Sequence, residues 1–285
     1  MPESQNNSAS IERRPIDDQK DDIVSIDNVS FSYGERLIHN GLNISIERGS
    51  ITSIMGPSGC GKSTVLSLIG GREKPQIGQV LVDSKNVAEL NNSALFELRK
   101  SMGMMFQHNA LLTDITVFEN VAFPLREHTD KTESEINDIV LEKLHHVGLR
   151  EAASLYPEEC SGGMQRRVAL ARAIVMEPAL VMYDEPFTGL DPISKGIITK
   201  LIAEMNEKLN ITSLVVTHDV PEACEISDQI VVLAGGKAIG KGTPAELNSS
   251  EEPSIKQFMT GSPDGPVAYH YQAQNPANSN NEEQS

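Results

Sequence analysis

One nine-residue motif near the start of the chain constrains its fold more than any other feature. It reads Gly56-Pro57-Ser58-Gly59-Cys60-Gly61-Lys62-Ser63-Thr64. The motif matches G-x-x-x-x-G-K-[ST] in full, after an apolar run that ends at Met55 and before a helical apolar pattern that starts at Val65. Glycines let backbone N–H groups curl around an anion, and a helix N-terminus adds positive potential. The motif therefore predicts a phosphate-binding loop between a buried strand and a helix. The alternative is a glycine-rich turn with a surface lysine.

Two side chains of the motif and two later carboxylates are the candidates for chemistry. Lys62 is expected to reach the terminal phosphates of a nucleotide, and Ser63 can be a ligand of Mg²⁺. The apolar run 179–183 ends in Asp184 and Glu185, at the strand end where ligands of α/β proteins bind. We expect Asp184 to hold Mg²⁺, mainly through water, and Glu185 to accept a proton from an attacking water. Alternatively, this pair is only an acidic helix start.

The apolar runs predict an α/β fold. Residues 50–55, 179–183 and 213–217 are short apolar runs of the kind found in buried parallel strands. Helical patterns at 162–176 and 194–209 alternate with them. This alternation predicts a parallel sheet covered by helices.

Two additions to this core are expected. Short alternating segments at 23–26, 29–31 and 42–47 predict an antiparallel β flap. Between residues 93 and 159 the apolar period becomes helical and no strong strand is expected. That change predicts an inserted helical subdomain at about 93–160.

The ends of the chain differ in composition from the domain at 23–248. Residues 1–22 and 272–285 are polar and are predicted to be disordered. Residues 249–271 form a C-terminal extension whose second half carries aromatic side chains among prolines. We expect these aromatics to dock, either on their own subunit or on another one.

The charge balance and the absence of long apolar runs exclude some classes of protein. Lys plus Arg number 24 and Asp plus Glu number 40, a formal net charge of −16. A strongly acidic surface repels phosphate, so nucleic acid is not an expected partner. No stretch approaches the roughly 20 apolar residues needed to span a bilayer, and no signal peptide is evident. Three scattered cysteines fit a reducing cytoplasm.

A second candidate anion site opens the helix that precedes residues 179–183. Ser161 is a plausible N-cap, and Gly162 and Gly163 follow it. A chain with one phosphate loop hardly needs another for the same nucleotide. We therefore expect this helix start to contact ATP bound to a second copy of the chain, which requires a dimer.

From about Ile23 to Leu247 these motifs resemble the ATP-binding cassette family, whose signature is Leu-Ser-Gly-Gly-Gln. The resemblance implies a RecA-like P-loop NTPase core and ATP hydrolysis with Mg²⁺. It also implies roles for four further residues: an adenine-stacking aromatic, a glutamine that senses Mg²⁺ and the membrane partner, an inter-subunit aspartate and a γ-phosphate switch histidine. These are Tyr33, Gln107, Asp191 and His218.

Each of these positions also has an ordinary structural interpretation. Tyr33 could be a flap aromatic, Gln107 a surface residue, Asp191 a helix N-cap and His218 a satisfied strand-end histidine. The signature departs from the family at two positions, with Cys160 for leucine and Met164 for glutamine. Ser161 and Gly163, which meet phosphate through hydroxyl or backbone, are intact, so activity is expected to survive.

Within the family, several stretches resemble the ATPases of bacterial phospholipid transport systems that maintain outer-membrane lipid asymmetry. They are the variant signature and residues 121–128, 217–222 and 264–267. This resemblance implies a homodimer at the cytoplasmic face of the inner membrane, with a transmembrane permease, a small STAS-domain protein and an MCE-domain protein as partners. It also implies that the C-terminal extension crosses to the other ATPase subunit.

Three alternatives stay open on the sequence. The chain could be a soluble cassette ATPase that acts in iron–sulfur assembly or DNA maintenance. It could energise a permease for another substrate. It could also be a non-catalytic ATP-dependent dimerisation module, although the presence of Glu185 and His218 argues against that.

Overall fold

The computed structural model describes residues 21–267, and ten strands and nine α-helices follow one another in that range. They are β1 (Asp22–Tyr33), β2 (Arg36–Glu47), β3 (Ile51–Met55), α1 (Lys62–Ile69), β4 (Ile77–Val82), β5 (Lys85–Asn86), α2 (Asn92–Lys100), β6 (Met102–Met105), α3 (Val117–His128), α4 (Glu133–His146), α5 (Gly162–Ile174), β7 (Leu180–Asp184), α6 (Pro192–Leu209), β8 (Thr212–Thr217), α7 (Val220–Ile226), β9 (Gln229–Ala234), β10 (Lys237–Gly242), α8 (Pro244–Asn248) and α9 (Pro253–Thr260).

A six-stranded sheet forms the centre of the molecule, in the order β10-β9-β3-β8-β7-β6. Strands β9, β3, β8, β7 and β6 run parallel, and only β10 pairs antiparallel, at the edge. Every residue of β3 and of β8 is buried, as expected when helices cover both faces of a parallel sheet. The apolar runs predicted as parallel strands are therefore parallel strands of this sheet.

A second, antiparallel sheet of four strands has the order β2-β1-β4-β5 and is the flap predicted from the sequence. Strands β1 and β2 pair along their whole length around the two-residue turn Gly34–Glu35. The buried face of this sheet shares one hydrophobic cluster with α1 and with strand residues of the central sheet. This packing holds the tip of the flap beside the loop that precedes α1.

One expectation about the segment 93–159 was wrong. It contains a strand, β6, which pairs in parallel with β7 at the edge of the central sheet. The strand is only four residues long and reads Met-Gly-Met-Met, so β-propensity gives little signal there. Gly103 is required by packing, because a Cβ there would lie 2.2 Å from the Ala173 carbonyl oxygen. The helical insertion therefore starts after β6.

The inserted helices α3 and α4 pack on each other and on α5. Ile136, Val140, Lys143 and Leu144 share the buried face of α4, as their spacing predicts. The ammonium of Lys143 ends 2.9 Å from the Glu177 carboxylate, beyond the end of α5. The insertion is thereby connected to the helix that carries the second candidate anion site.

The described part of the C-terminal extension packs on its own subunit. Ile255 of α9 is buried, and Phe258 and Met259 contact a cluster that includes Ile230 and Val232 of the central sheet. Most of the predicted disordered tails, and residues 268–271 of the extension, lie outside the described residues; residue 22 is already part of β1. Within residues 21–267, none of the helices has the length and apolar character needed to cross a membrane.

Candidate active site

The loop between β3 and α1 has the shape that the glycine motif predicts. Gly61 has a φ of 101°, in the left-handed region that disfavours other residues. A Cβ at Gly61 would lie 2.6 Å from the imidazole of His39, and one at Gly56 would lie 2.4 Å from the Leu233 carbonyl oxygen. Close neighbours thus require glycine at both ends of the loop.

Lys62 extends back over this loop and is buried. Its ammonium donates to the carbonyl oxygens of Gly56, at 2.9 Å, and Pro57, at 3.3 Å. It also lies 3.6 Å from a carboxylate oxygen of Glu185. A buried cation needs such partners, and its position places positive charge directly at the phosphate loop.

Ser63 and Asp184 meet at the end of β7, as expected for a metal site. The Ser63 hydroxyl donates to Oδ1 of Asp184 over 3.1 Å. Burial raises the pKa of the Asp184 carboxyl, and the hydrogen bond from Ser63 opposes that rise. Hydroxyl and carboxylate oxygens are the ligands that Mg²⁺ prefers, and a divalent cation would favour the ionised carboxylate that burial disfavours. These two residues therefore fit Mg²⁺.

Glu185 is held in a strained backbone conformation. Its φ of 50° is uncommon for a residue other than glycine, and its N–H donates to the Val216 carbonyl oxygen at 2.8 Å. Its carboxylate is buried and lies 2.8 Å from Nδ1 of His218 and 3.3 Å from the Thr188 hydroxyl. Strain of this kind persists only where surrounding contacts fix it, and it is concentrated at active sites.

His218 closes the other side of this carboxylate. The residue follows β8, and its side chain is 55% exposed although its Nδ1 contacts buried Glu185. One ring nitrogen therefore holds the carboxylate while the rest of the imidazole faces outward. That geometry suits a side chain that responds to the terminal phosphate of a bound nucleotide.

Gln107 lies in the loop after β6, with an exposed side chain. Among the described residues no hydrogen bond joins that side chain to Ser63 or Asp184. Its backbone is fixed instead, because its carbonyl oxygen accepts from Nη1 of Arg166 at 2.7 Å. Nη2 of Arg166 donates to the Thr188 carbonyl oxygen at 2.9 Å.

Arg166 is a residue that sequence reasoning missed. Only 5% of its surface is exposed. It lies on α5, a helix predicted from its apolar residues. It connects the Gln107 loop with the loop that follows Glu185. An arginine buried among apolar positions of α5 was the available signal, since a buried arginine requires partners.

The second candidate anion site is open to solvent. Ser161 caps α5 by accepting from the Met164 N–H at 3.2 Å. Ser161 and Gly162 are exposed, and a Cβ at Gly162 would meet nothing within 4 Å. No hydrogen bond or ion pair in residues 21–267 connects this helix start with the phosphate loop of its own chain.

Asp191 and Tyr33 are at the rim of the site. Asp191 caps α6 by accepting from the N–H groups of Ile193 and Ser194, at 3.0 and 3.1 Å. The hydrogen bond from the Ser194 hydroxyl, together with these backbone bonds, lowers the pKa of its carboxyl. Within one subunit, Asp191 is therefore the N-cap of α6. Tyr33 stands at the tip of the flap, 47% exposed, with its ring edge-on to Phe31.

Sequence comparison settles which nucleotide-binding family contains this site. Residues 39–188, more than half of the chain, match the protein family described as ABC transporter. The chain belongs to this family. Its ABC ATPase identity and its P-loop NTPase fold, both expected from the sequence, are confirmed.

Named relatives match a longer part of the chain than the family match covers. The chain is 52% identical over 252 residues to the intermembrane phospholipid transport system ATP-binding protein MlaF of Haemophilus influenzae, covering 88% of this chain and 96% of that protein. It is 48% identical over 251 residues to the protein of the same name from Escherichia coli K12, covering 88% and 93%. The probable ribonucleotide transport ATP-binding protein mkl of Mycobacterium tuberculosis H37Rv is 37% identical over 244 residues, covering 86% and 68%.

Two solved structures have the same architecture. A dimeric post-hydrolysis state of the ATP-binding cassette MJ0796, bound to ADP and phosphate, matches with a TM-score of 0.71 and 34% identity over 78% of this chain and 98% of that chain. The cassette cbiO1 of Clostridium perfringens, part of the ABC transporter complex cbiONQ, matches with a TM-score of 0.76 and 32% identity over 82% and 93%.

Proposed function

We propose that this chain is the ATP-hydrolysing subunit of a bacterial intermembrane phospholipid transport system and drives a separate permease. The observation that carries the proposal is the 48 to 52% identity to two proteins named MlaF over 88% of the chain. In this proposal the system maintains the lipid asymmetry of the outer membrane.

In this proposal, different residues of the chain have different roles in ATP hydrolysis. Lys62 binds and neutralises the terminal phosphates, and Glu185 accepts the proton of the attacking water. His218 positions Glu185 and contacts the γ-phosphate. Ser63, Asp184 and Gln107 would hold Mg²⁺, which when bound neutralises charge on the transferred phosphoryl group.

A second copy of the chain completes each site. In this arrangement ATP lies between the phosphate loop of one subunit and Ser161, Gly162 and Gly163 of the other, with Tyr33 against the adenine and Asp191 at the inter-subunit contact. The exposure of Ser161 and Gly162 supports this arrangement, because a helix N-terminus with unused N–H groups is suited to an anion. The related cassette MJ0796 is dimeric.

The permease is proposed to dock on the helical insertion beside Gln107. Four large apolar side chains of α3 and the segments connected to it are exposed, each between 41 and 46%. Hydrogen bonds connect their segments to α3: the Leu112 N–H donates to the Asn120 side-chain oxygen, and the Val117 N–H donates to the Leu155 carbonyl oxygen. The four are Phe106, Leu112, Phe123 and Tyr156. Exposed apolar side chains on connected segments suit a protein partner.

The remaining partners and the location follow from the same proposal. The chain would be peripheral, at the cytoplasmic face of the inner membrane, in a complex with a STAS-domain protein and an MCE-domain protein. The C-terminal extension, residues 249–271, would cross to the other ATPase subunit. Its described part contacts its own α9, where Gln257 is hydrogen-bonded to Val267, and residues 268–271 lie outside the described residues.

Reconstitution tests this function. The tagged chain is purified from its native membranes in mild detergent, and its complex is placed in phospholipid vesicles with acceptor vesicles outside. We expect a permease to co-purify, and ATP to drive phospholipid exchange that Glu185→Gln abolishes. An active ATPase without a permease would favour the soluble alternative, and ATP-driven movement of ribonucleotides but not lipid would favour the function assigned to mkl.

A further inference from the structure

A second cation stands beside the phosphate loop. Arg36 is the first residue of β2 and is paired with Tyr33 across the two-residue turn of the flap. Directly paired residues of antiparallel strands carry their side chains on the same face of the sheet. Arg36 and Tyr33 therefore project from the same face of the flap tip.

The guanidinium of Arg36 approaches the loop itself. A Cβ built on Gly59 would lie 4.0 Å from Nη2 of Arg36. A cavity of about 770 Å³ lies beside both, lined by β2 from Arg36, by Pro57 to Cys60 of the loop, by the β9–β10 turn and by Ser254, Pro266 and Val267 of the C-terminal extension. The flap thus places a cation next to residues 57–60 of the phosphate loop.

Arg36 differs from the arginines that serve the fold. Arg48 and Arg126 form ion pairs with carboxylates, and Arg166 and Arg172 donate to backbone carbonyls. Within residues 21–267, the exposed Arg36 guanidinium has neither an ion-pair partner nor a hydrogen bond. Its charge is uncompensated at a loop built to bind an anion.

We propose that Arg36 is a nucleotide-binding residue that contacts the phosphate chain of ATP. Arginine is suited to this because its planar guanidinium donates two parallel hydrogen bonds to phosphate oxygens. Lys62 holds the phosphates from inside the loop, and Arg36 holds them from the flap. This role concerns ATP binding and is independent of the substrate that the permease carries.

Nucleotide affinity of the full-length chain tests the role. Arg36→Ala should raise the Kd for ATP and for ADP about tenfold, the equivalent of one charge-assisted hydrogen bond, and leave the Kd for adenosine unchanged. KM should rise while kcat at saturating ATP is nearly retained. Arg36→Lys should keep part of the affinity for ATP. The increase in Kd caused by Arg36→Ala should become smaller at high salt.

The matched control is Arg72→Ala, which removes an exposed arginine beyond the far end of α1. It should leave all three Kd values unchanged. Unchanged ATP affinity in Arg36→Ala would refute the proposal, and so would an equal loss for adenosine, which would place Arg36 at the base instead. If Arg36→Ala melts at a lower temperature than wild type without nucleotide, Arg36→Gln and Arg36→Lys are compared instead. Only the lysine variant should still bind ATP more tightly than adenosine.

Discussion

The two helix starts that are proposed to face phosphate in this fold are built differently. The loop before α1 is enclosed by its own chain: His39 and the Leu233 carbonyl contact its glycines, and Lys62 donates to its carbonyl oxygens. The start of α5 is capped only by Ser161, and Gly162 next to it has open space around it.

The difference separates a site that is complete in one subunit from one that is not. The phosphate loop already contains the cation and the shape needed to hold an anion. The start of α5 provides N–H groups and no cation, and within residues 21–267 no hydrogen bond or ion pair joins it to that loop. Binding of ATP is expected to need only the first helix start, and hydrolysis to need both.

The largest effects should come from one lesion at each helix start. Lys62→Ala should reduce hydrolysis to background by weakening ATP binding and charge neutralisation. Ser161→Arg should block hydrolysis by intruding at the dimer interface while ATP binding is retained. Mixing the two variants gives dimers in which one composite site carries both lesions and the other carries neither.

Steady-state phosphate release from the mixture measures this complementation. We expect activity to return in the mixture, and Lys74→Ala, an exposed lysine away from the loop, to behave as wild type. Full activity of either single variant as a purified monomer would contradict the shared site.

Glu185→Gln should lower hydrolysis by about 10² to 10⁴ because the amide cannot accept the proton of water. ATP binding should persist, since the amide has nearly the shape of the carboxylate. Size-exclusion chromatography with ATP should then detect an accumulated dimer in which both helix starts hold the nucleotide. A variant that hydrolyses ATP at the normal rate would assign the general base elsewhere.

A methyl group added at each helix start compares the two directly. Gly61→Ala should destabilise the fold by about 1 to 3 kcal/mol through backbone strain, with further loss from the clash with His39, and should weaken ATP binding. Gly162→Ala should melt and bind ATP like wild type but hydrolyse it more slowly. Thermal melting and nucleotide titration measure both variants, and equal melting temperatures would refute the difference in enclosure.

The smallest effect concerns His39, whose Nε2 lies 3.2 Å from the Gly61 carbonyl oxygen. Burial lowers its pKa from the ordinary 6.5, so the unfolded chain takes up a proton more readily than the folded one. Stability is therefore lost as pH falls through about 6.5. His39→Gln should lose less melting temperature between about pH 7.5 and 5.5 than wild type, and exposed His145→Gln should not differ from wild type.

The parts of this site that lie in one stretch of sequence could be predicted, and those that depend on distant contacts could not. The phosphate loop and the pair Asp184 and Glu185 follow apolar strands, so spacing alone predicted their position. Gln107 and Arg166 are 59 positions apart. An arginine among apolar positions of α5 indicates that it needs partners, but local sequence does not indicate which loop supplies them.

Strand β6 shows a second limit of local sequence. Its methionines and glycine have no β-branched pattern, and the strand exists because β7 offers an edge and α5 covers it. Arg36 is a similar case, since its position at the phosphate loop depends on how the flap packs on α1. Tertiary contacts determine all three features: the contact of Arg166 with the Gln107 loop, strand β6 and the position of Arg36.

Arg166 also has a consequence for the timing of the cycle. One planar guanidinium donates to the Gln107 and Thr188 carbonyl oxygens, so neither loop can shift without stretching a bond to the other. We therefore expect a displacement of the Gln107 loop to be passed, through this one side chain, to Thr188, three residues after Glu185. The protein would thus have a mechanical linkage through which a force on its helical insertion affects the timing of ATP hydrolysis.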